Sequence, residues 1–318
     1  MGKGLGVEKA IFCPIGVVLL LGVLLPGEMV ASEHRSTSRW QLVNTIDVSG
    51  SPGGPLKQAA AIDLDSEGHI YIVDRGRHRL IKLAPDGSFI HEIGGFGSQV
   101  DQFDDPRDVD AHTTLNIFVA DYNNQRVVRL DRYMNYLSDL TPRWESPYDF
   151  DQVLSVAVTS QFDLFLLDDI TKKIIKFNRF SEPIQVFGGL DDPYGQLLEP
   201  VQVTVDDVNH VFVTDPGQQA VLVFDYLGNY LQTISAPELE QPTGLAWGWD
   251  NRLYVVDVDG NEIFVFNNRF EFQEVLRFPE ITGTVSDVAL RFIQSDRQRV
   301  LYLLTPTRCW VFRERLGK

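Results

Sequence analysis

Cysteine and basic side chains are both scarce in this sequence. Of its 318 residues only Cys13 and Cys309 are cysteines, too few for a disulfide framework or a Cys-rich zinc site. The 28 Lys and Arg are outnumbered by 44 Asp and Glu, and the formal net charge is −16. Nucleic acid is therefore not expected as a partner, because binding phosphates needs a surplus of positive charge. Hydrophobic residues make up 44 % of the chain, which is enough for a packed core.

A long apolar run lies at the amino terminus. Lys3 and Lys9 precede the run over residues 10–25, and the small residues Ala31 and Ser32 follow it. This order is typical of a secretory signal peptide, so we predict a signal at residues 1–32 and export to the periplasm, the cell surface or the medium. The alternative is an uncleaved signal anchor that holds the protein to a membrane through residues 10–27, because a membrane helix needs about 20 apolar residues.

One short pattern recurs along the rest of the chain. It is an aliphatic or aromatic run that ends in Asp, with copies at 70–74, 117–121, 164–168, 211–215 and 253–257. A sixth copy at 301–305 ends in Thr305 instead, and the copies follow one another at intervals of 47, 47, 47, 42 and 48 residues. Such a period, with short strands and no helical periodicity, is typical of a β-propeller with four strands in each blade.

The strand signals within each repeat predict how the propeller closes. An aliphatic inner strand, such as 60–64 or 201–205, is followed by the recurring segment, a third apolar strand and a more polar outer strand. The sixth repeat supplies only three strands, whereas Trp40–Ile46 stands alone before the first repeat. We therefore predict an all-β fold over residues 33–318, a six-bladed β-propeller of four-stranded blades. The amino-terminal strand completes the last blade, and the protein is expected to be monomeric.

The repeats resemble a known family. Asp121 is followed by Tyr, Asn, Asn, Gln and Arg126, and glycine-rich stretches at 94–97 and 188–190 lead to segments ending in Pro106 and Pro200. This combination resembles the NHL repeat and covers residues 40–318. The resemblance implies a six-bladed propeller, but it leaves the function open, since such propellers serve both as binding platforms and as enzymes.

A basic residue stands five positions after the recurring Asp in three repeats, as in Arg79 and Arg126. An Asp and an Arg in one loop could bind a ligand through hydrogen bonds and ion pairs. The alternative is an Asp-capped turn in which the basic residue forms a structural ion pair, and the repetition of the feature favours this second interpretation.

The acidic loops and the histidines bear on two kinds of metal site. Asp257, Asp259 and Glu262 lie in one Gly-containing loop, so they are a calcium candidate, although a solvated Asp-Gly turn is the commoner use of such a sequence. No histidine lies on a predicted inner strand, where residues line the central channel, so a three-histidine zinc site is not expected. Apart from this calcium candidate, no cofactor is predicted.

The loops after the second strand and between blades leave one face of a propeller, and they carry the remaining candidates. The predicted ligand-binding residues on this face are Arg75, Arg77, Arg79, Arg107, Tyr122, Arg126, Trp144, Tyr148 and Tyr194. Mixed charge and aromatic side chains suit a protein, peptide or glycan ligand. The leading functional prediction is thus an exported, non-enzymatic binding and scaffolding module. The alternative is a metal-dependent hydrolase or lactonase-like enzyme with its site at the channel mouth.

Overall fold

A computed structural model describes residues 39–142, 148–295 and 297–315. The chain divides into two units, Met1–Thr37 and Ser38–Lys318. The first unit, with the predicted signal peptide and its membrane-anchor alternative, lies outside the described residues. Within the described part, no helix is long and apolar enough to span a membrane.

The described residues form six four-stranded antiparallel sheets, which are the six blades. The strands of the first three blades are β2 Ala59–Leu64, β3 Ile70–Asp74, β4 Arg79–Leu83 and β5 Phe89–Gly94; β6 Pro106–Asp110, β7 Asn116–Asp121, β8 Arg126–Asp131 and β9 Tyr136–Leu140; and β10 Val153–Val158, β11 Leu164–Asp168, β12 Lys173–Asn178 and β13 Glu182–Gly188. Those of the last three are β14 Val203–Val205, β15 Val211–Asp215, β16 Ala220–Phe224 and β17 Tyr230–Ile234; β18 Pro242–Gly248, β19 Arg252–Asp257, β20 Glu262–Phe266 and β21 Phe272–Arg277; and β22 Asp287–Ile293, β23 Gln298–Thr305, β24 Arg308–Glu314 and β1 Trp40–Ile46. Two single 3₁₀ turns, Arg75–Arg77 and Pro216–Gln218, follow β3 and β15. The predicted all-β six-bladed propeller is confirmed.

The amino-terminal strand closes the last blade, as predicted. β1 pairs antiparallel with β24, with Trp40 opposite Glu314 and Ile46 opposite Cys309. One inner strand is shorter than the sequence suggested, because β14 begins at Val203 rather than at residue 201. Before Val203 the pairing is irregular, because Val201 and Gln202 both bond to the backbone of Thr214: the N–H of Val201 donates to the Thr214 carbonyl at 2.9 Å, and the N–H of Thr214 donates to the Gln202 carbonyl at 3.0 Å.

The hydrophobic core lies between the blades. In the second strands of the first, third and fourth blades every residue is buried, because both faces of each sheet are covered by a neighbouring blade. The cluster between the first two blades is representative: Tyr71 and Val73 pack with Ile117 and Val119. The outer strands expose about half of their residues, which explains their more polar sequences.

The inner strands are joined to one another around the channel by side chains. The N–H groups on the channel side of each inner strand have no further strand of the same sheet to pair with, so they need other acceptors. The N–H of Val156 donates to Asp108 at 3.0 Å, that of Val203 to Ser155 at 3.0 Å and that of Leu245 to Gln202 at 2.8 Å. In each case the acceptor belongs to the preceding blade, so each inner strand is fixed to the next.

Candidate functional site

The loops after the second strands and the connections between blades lie on one side of the propeller, which we call the loop face. In the first blade the two kinds of loop touch each other directly. The carbonyl of His78, in the loop after β3, accepts a hydrogen bond from the N–H of Gly95 at 2.8 Å. Its Nδ1 accepts another from the N–H of Asp105 at 3.0 Å, in the connection to the second blade. These bonds fix Asp105 at the start of β6.

Three of the predicted binding residues meet around Asp105. Arg75 donates from Nε and Nη2 to the two carboxylate oxygens of Asp105, at 2.7 and 3.1 Å. Arg107 donates to the same carboxylate from Nε at 2.9 Å. The Arg107 guanidinium also lies 4.3 Å from the centre of the Tyr122 ring, within cation–π range. We call Arg75, Asp105, Arg107, Tyr122 and Asp169 the Arg107 cluster.

Tyr122 extends the cluster to the third blade. Its hydroxyl donates to Asp169 at 2.5 Å, and Lys172 donates to the other oxygen of Asp169 at 2.6 Å. Burial and the hydrogen bond to Asp169 raise the pKa of Tyr122 to about 12, so the phenol keeps its proton at neutral pH. The cluster therefore links three blades through charged and aromatic groups whose positions are set by each other.

The side chains of the cluster remain accessible to a ligand. Those of Arg75 and Arg107 are 27 % and 28 % exposed. Together with the adjacent Lys172, the two guanidinium groups face the carboxylates of Asp105 and Asp169, so these five charged groups carry a net charge of +1 beside Tyr122. Such a site can accept carboxylate or other polar acceptor groups, and the planar Arg–Tyr stack offers a surface for apolar groups.

Arg79 and Arg126 do not belong to this accessible cluster. They are only 4 % and 6 % exposed, in spite of their prediction as ligand-binding residues. Arg79 bonds to Asp74 at 3.1 Å, and Arg126 bonds to Asp121 at 2.7 Å, each within its own blade. Their remaining donors are used by nearby carbonyls, such as that of Gly54 for Arg79, so the geometry is that of a buried structural turn.

The other predicted binding residues are spread over the loop face. Arg77 is exposed and donates to the Pro55 carbonyl at 2.9 Å. Tyr148 is half-buried and lines a cleft of about 100 Å³ together with Phe150 and Phe177. Tyr194 is 80 % exposed, whereas Trp144 lies outside the described residues.

The calcium candidate has the following geometry. Asp257 is fully buried and accepts hydrogen bonds from the N–H groups of Glu240, Gln241 and Asp259. Glu262 forms an ion pair with Arg277, and the Asp259 side chain is exposed. In the described part of the chain, no group of three or more His, Cys, Asp or Glu side chains is arranged to hold a metal. Calcium binding here stays a prediction.

Sequence reasoning missed Asp105, which organises the cluster. The available signal was its position two residues before Arg107, with Pro106 between them. It also did not single out the exposed apolar residues Leu190 and Leu198, which lie in the connection between the third and fourth blades. The sequence signal for these residues was that they are apolar although they lie in a loop with Gly and Pro, where no alternation of polar and apolar residues predicts a strand.

Neither a protein-family model nor a curated protein sequence matches this chain. Solved structures with a similar fold include a streptogramin B lyase, with a TM-score of 0.62, 12 % identity and coverage of 86 % of this chain and 97 % of that one. Selenomethionine-substituted virginiamycin B lyase from Staphylococcus aureus has a TM-score of 0.60, and a catalytically inactive form of that lyase with quinupristin has 0.61. Both are 12 % identical and cover 87 % of this chain and 100 % of theirs. At this identity the similarity shows the propeller fold.

Proposed function

We propose that this protein is an exported, non-enzymatic β-propeller that binds a protein, peptide or glycan through its loop face and serves as a scaffold for it. The Arg107 cluster is the observation that carries the proposal. Its groups are held in place by mutual bonds before a ligand arrives, so little conformational entropy is lost on binding. Arg and Tyr are also the side chains that most often dominate binding energy at interfaces.

The full-length protein, immobilised and exposed to the extracytoplasmic fraction of its own cells and to a glycan array, tests this proposal. The double variant Arg107→Ala with Tyr122→Ala removes the stacked pair. Its matched control is Arg132→Ala with Tyr133→Ala, because Arg132 stacks on Tyr133 at 5.5 Å in a turn on the opposite face. We expect a ligand retained by the wild type and the control to be lost by the Arg107 variant. Equal retention by all three folded proteins would contradict the proposal.

Export is tested separately by mass spectrometry of the protein from its native cells. A mature chain that begins near Ser32 or Glu33 supports cleavage of the signal. A full-length chain in the membrane fraction would instead support the anchor at residues 10–27.

A second candidate function is an enzyme at the channel mouth, in the form of a metal-dependent hydrolase or lactonase-like protein. The fold similarity to lyases favours an enzyme over no activity at all, although the fold alone assigns no chemistry. Elemental analysis of the purified protein tests the metal-dependent form. Stoichiometric calcium or zinc in the wild type that is retained in Asp259→Ala would support it, and a stable metal-free protein would contradict it.

A further inference from the structure

The connection between the third and fourth blades presents exposed apolar side chains on the loop face. We call residues 189–201 the blade 3–4 loop. Within it Tyr194 is 80 % exposed, Leu190 56 % and Leu198 38 %. Exposed aromatic and aliphatic groups this close together in one loop indicate a contact surface more than an ordinary solvated turn.

The blade 3–4 loop is ordered by its own polar groups. The Asp192 carboxylate accepts hydrogen bonds from the N–H groups of Tyr194 at 3.0 Å and Gly195 at 2.8 Å. Although burial opposes ionisation, these bonds hold the pKa of Asp192 below its usual value. Gln196 donates to the Leu190 carbonyl at 2.9 Å, which ties the two ends of the exposed segment together. The apolar side chains are therefore displayed on a preformed loop.

The loop-face segments of the fourth and fifth blades beside this loop are acidic, whereas Lys173 of β12 packs against Gly189 at the start of the loop. Four neighbouring segments of the loop face, at 188–202, 215–220, 234–243 and 257–262, contain no Lys or Arg. They contain the carboxylates Asp191, Asp192, Glu199, Asp215, Glu238, Glu240, Asp257, Asp259 and Glu262. Among the residues that the structure describes, no Lys, Arg or His forms an ion pair with Asp191, Glu199, Glu240 or Asp259. We call these four segments the acidic arc.

We propose that the blade 3–4 loop and the acidic arc bind a cationic, apolar peptide segment of a partner protein. This rests on the proposed function and names the chemistry of its ligand. Arg or Lys side chains of the partner would lie against the unpaired carboxylates, and its apolar side chains would cover Tyr194, Leu190 and Leu198. Charge complementarity of this kind selects partners and speeds their association, while the aromatic anchor supplies affinity.

Fluorescence anisotropy with three labelled 12-residue peptides tests the inference on the full-length protein. The probes alternate Arg with Leu, Arg with Ser, and Glu with Leu. We expect the Arg–Leu peptide to bind, the Arg–Ser peptide to bind about tenfold more weakly and the Glu–Leu peptide not to bind, since loss of an anchoring contact costs about one order of magnitude in affinity. Tyr194→Ala, and separately Asp191→Lys with Glu199→Lys, should each weaken Arg–Leu binding by about tenfold or more.

Matched variants separate this surface from general attraction to an acidic protein. Tyr133→Ala removes a tyrosine of similar exposure, 70 %, from the opposite face of the propeller. Glu182→Lys with Asp207→Lys makes the same charge change at exposed positions outside the acidic arc. These controls should change the affinity less than about twofold, as is usual for contacts outside a binding surface. Equal losses in control and test variants, or no binding of the Arg–Leu peptide, would overturn the inference.

The two proposals fail in different ways. If a natural ligand is lost in the Arg107 and Tyr122 double variant but is neither displaced by the Arg–Leu peptide nor weakened by Tyr194→Ala, the inference is wrong and the proposed function stands. If no ligand depends on any loop-face residue, the proposed function fails and the inference fails with it. Circular dichroism of each variant confirms that the fold is retained.

Discussion

The carboxylate of Asp287, in the last blade, accepts a hydrogen bond at 2.9 Å from the N–H of Ile62, in the first blade and 225 residues away. Its other oxygen accepts from the N–H of Val288 at 2.8 Å. The equivalent position of the blade before it is Gly244, which has no side chain to offer Val288 an acceptor. Asp108 likewise accepts from the N–H groups of Val109 in its own strand and Val156 in the next blade. The equivalent position of the blade before it is Ala61, which offers no acceptor either. An Asp therefore occurs where one side chain must serve two inner strands.

Replacing Asp287 should weaken the whole propeller. Asp287→Ala leaves the buried N–H groups of Ile62 and Val288 without their acceptors, and each unsatisfied group costs about 1–3 kcal/mol. We expect the free energy of unfolding in urea to fall by about 2–4 kcal/mol. Asp287→Asn keeps one of the two acceptor oxygens and should lose less. An unchanged unfolding midpoint for Asp287→Ala would contradict this role.

Buried carboxyls around the channel should make the protein less stable as the pH rises. Burial and the neighbouring Asp110 raise the pKa of Asp63 to about 7, and burial raises that of Asp108 to about 6. The folded state thus holds protons that the unfolded chain has released above pH 4, so the contribution of Asp63 to stability falls between about pH 4 and 7. The contribution of His112 to stability also falls as the pH rises, but at higher pH. Burial opposes the protonation of His112, but the neighbouring Asp110 raises its pKa to about 9, so the folded state keeps a proton that the unfolded chain has already released.

Denaturation of the wild type and Asp63→Asn across this range tests the prediction. The difference in unfolding free energy, wild type minus variant, should decrease from pH 4 to about pH 7 and then remain constant, because the variant has no proton to lose at this position. Asp101→Asn, at an exposed position on the loop face, serves as the control. A difference that stays constant from about pH 4 to pH 7 for Asp63→Asn would show that the carboxyl is ionised throughout this range, and would contradict the prediction.

Replacing Arg79 should lower the stability of the fold, because this side chain has a structural role and not a ligand-binding one. Arg79→Ala leaves the carboxylates of Asp74 and Glu92 without their shared cation, and breaking such a buried pair costs about 3–5 kcal/mol. Arg79→Lys restores a charge but not the forked geometry, so we expect an intermediate loss. Thermal unfolding measures both, with the exposed Arg77→Ala as a control of small effect. A fully stable Arg79→Ala protein with lost ligand binding would contradict the structural role.

The fold could be predicted in detail because its determinants are local and repeated. The interval of 47 residues and the apolar run ending in Asp place β3, β7 and β11, and the unpaired segment Trp40–Ile46 reveals the closure. Inner-strand length was less predictable, since β14 starts only at Val203 and the two residues before it both bond to the backbone of Thr214, an irregular pairing that the repeat period does not record.

The candidate site was only partly predictable, because it is assembled from three blades. Sequence position places Arg75, Arg107 and Tyr122 on one face, but their meeting around Asp105 depends on how the connection after β5 folds back onto His78. Charge and aromatic content also do not separate buried from exposed arginines. Arg107 is the second residue of β6 and Arg126 the first residue of β8, so both lie where a strand begins at the loop face, yet Arg126 is buried in its own blade and Arg107 is accessible.

The closing strand β1 should control access to the thiol of Cys309. Ile46 lies opposite Cys309 in the sheet, the cysteine is fully buried, and burial raises the pKa of its thiol, so it should not react with a thiol reagent in the folded protein. Deleting residues 39–46 exposes the edge of β24. In a Cys13→Ser background, we expect Cys309 to react rapidly in this deletion variant and the cooperative unfolding transition to be lost.

A point variant and a peptide show whether this effect comes from the closing strand itself. Trp40 is 5 % exposed and packs among residues of the last two blades, so Trp40→Ala should lower the unfolding free energy by about 3–5 kcal/mol without removing the transition. A synthetic peptide of residues 39–47, added to the deletion variant, should pair with β24 and slow the reaction of Cys309. If the thiol stays protected after the deletion, the sheet does not need β1 for closure, and the amino-terminal strand is dispensable.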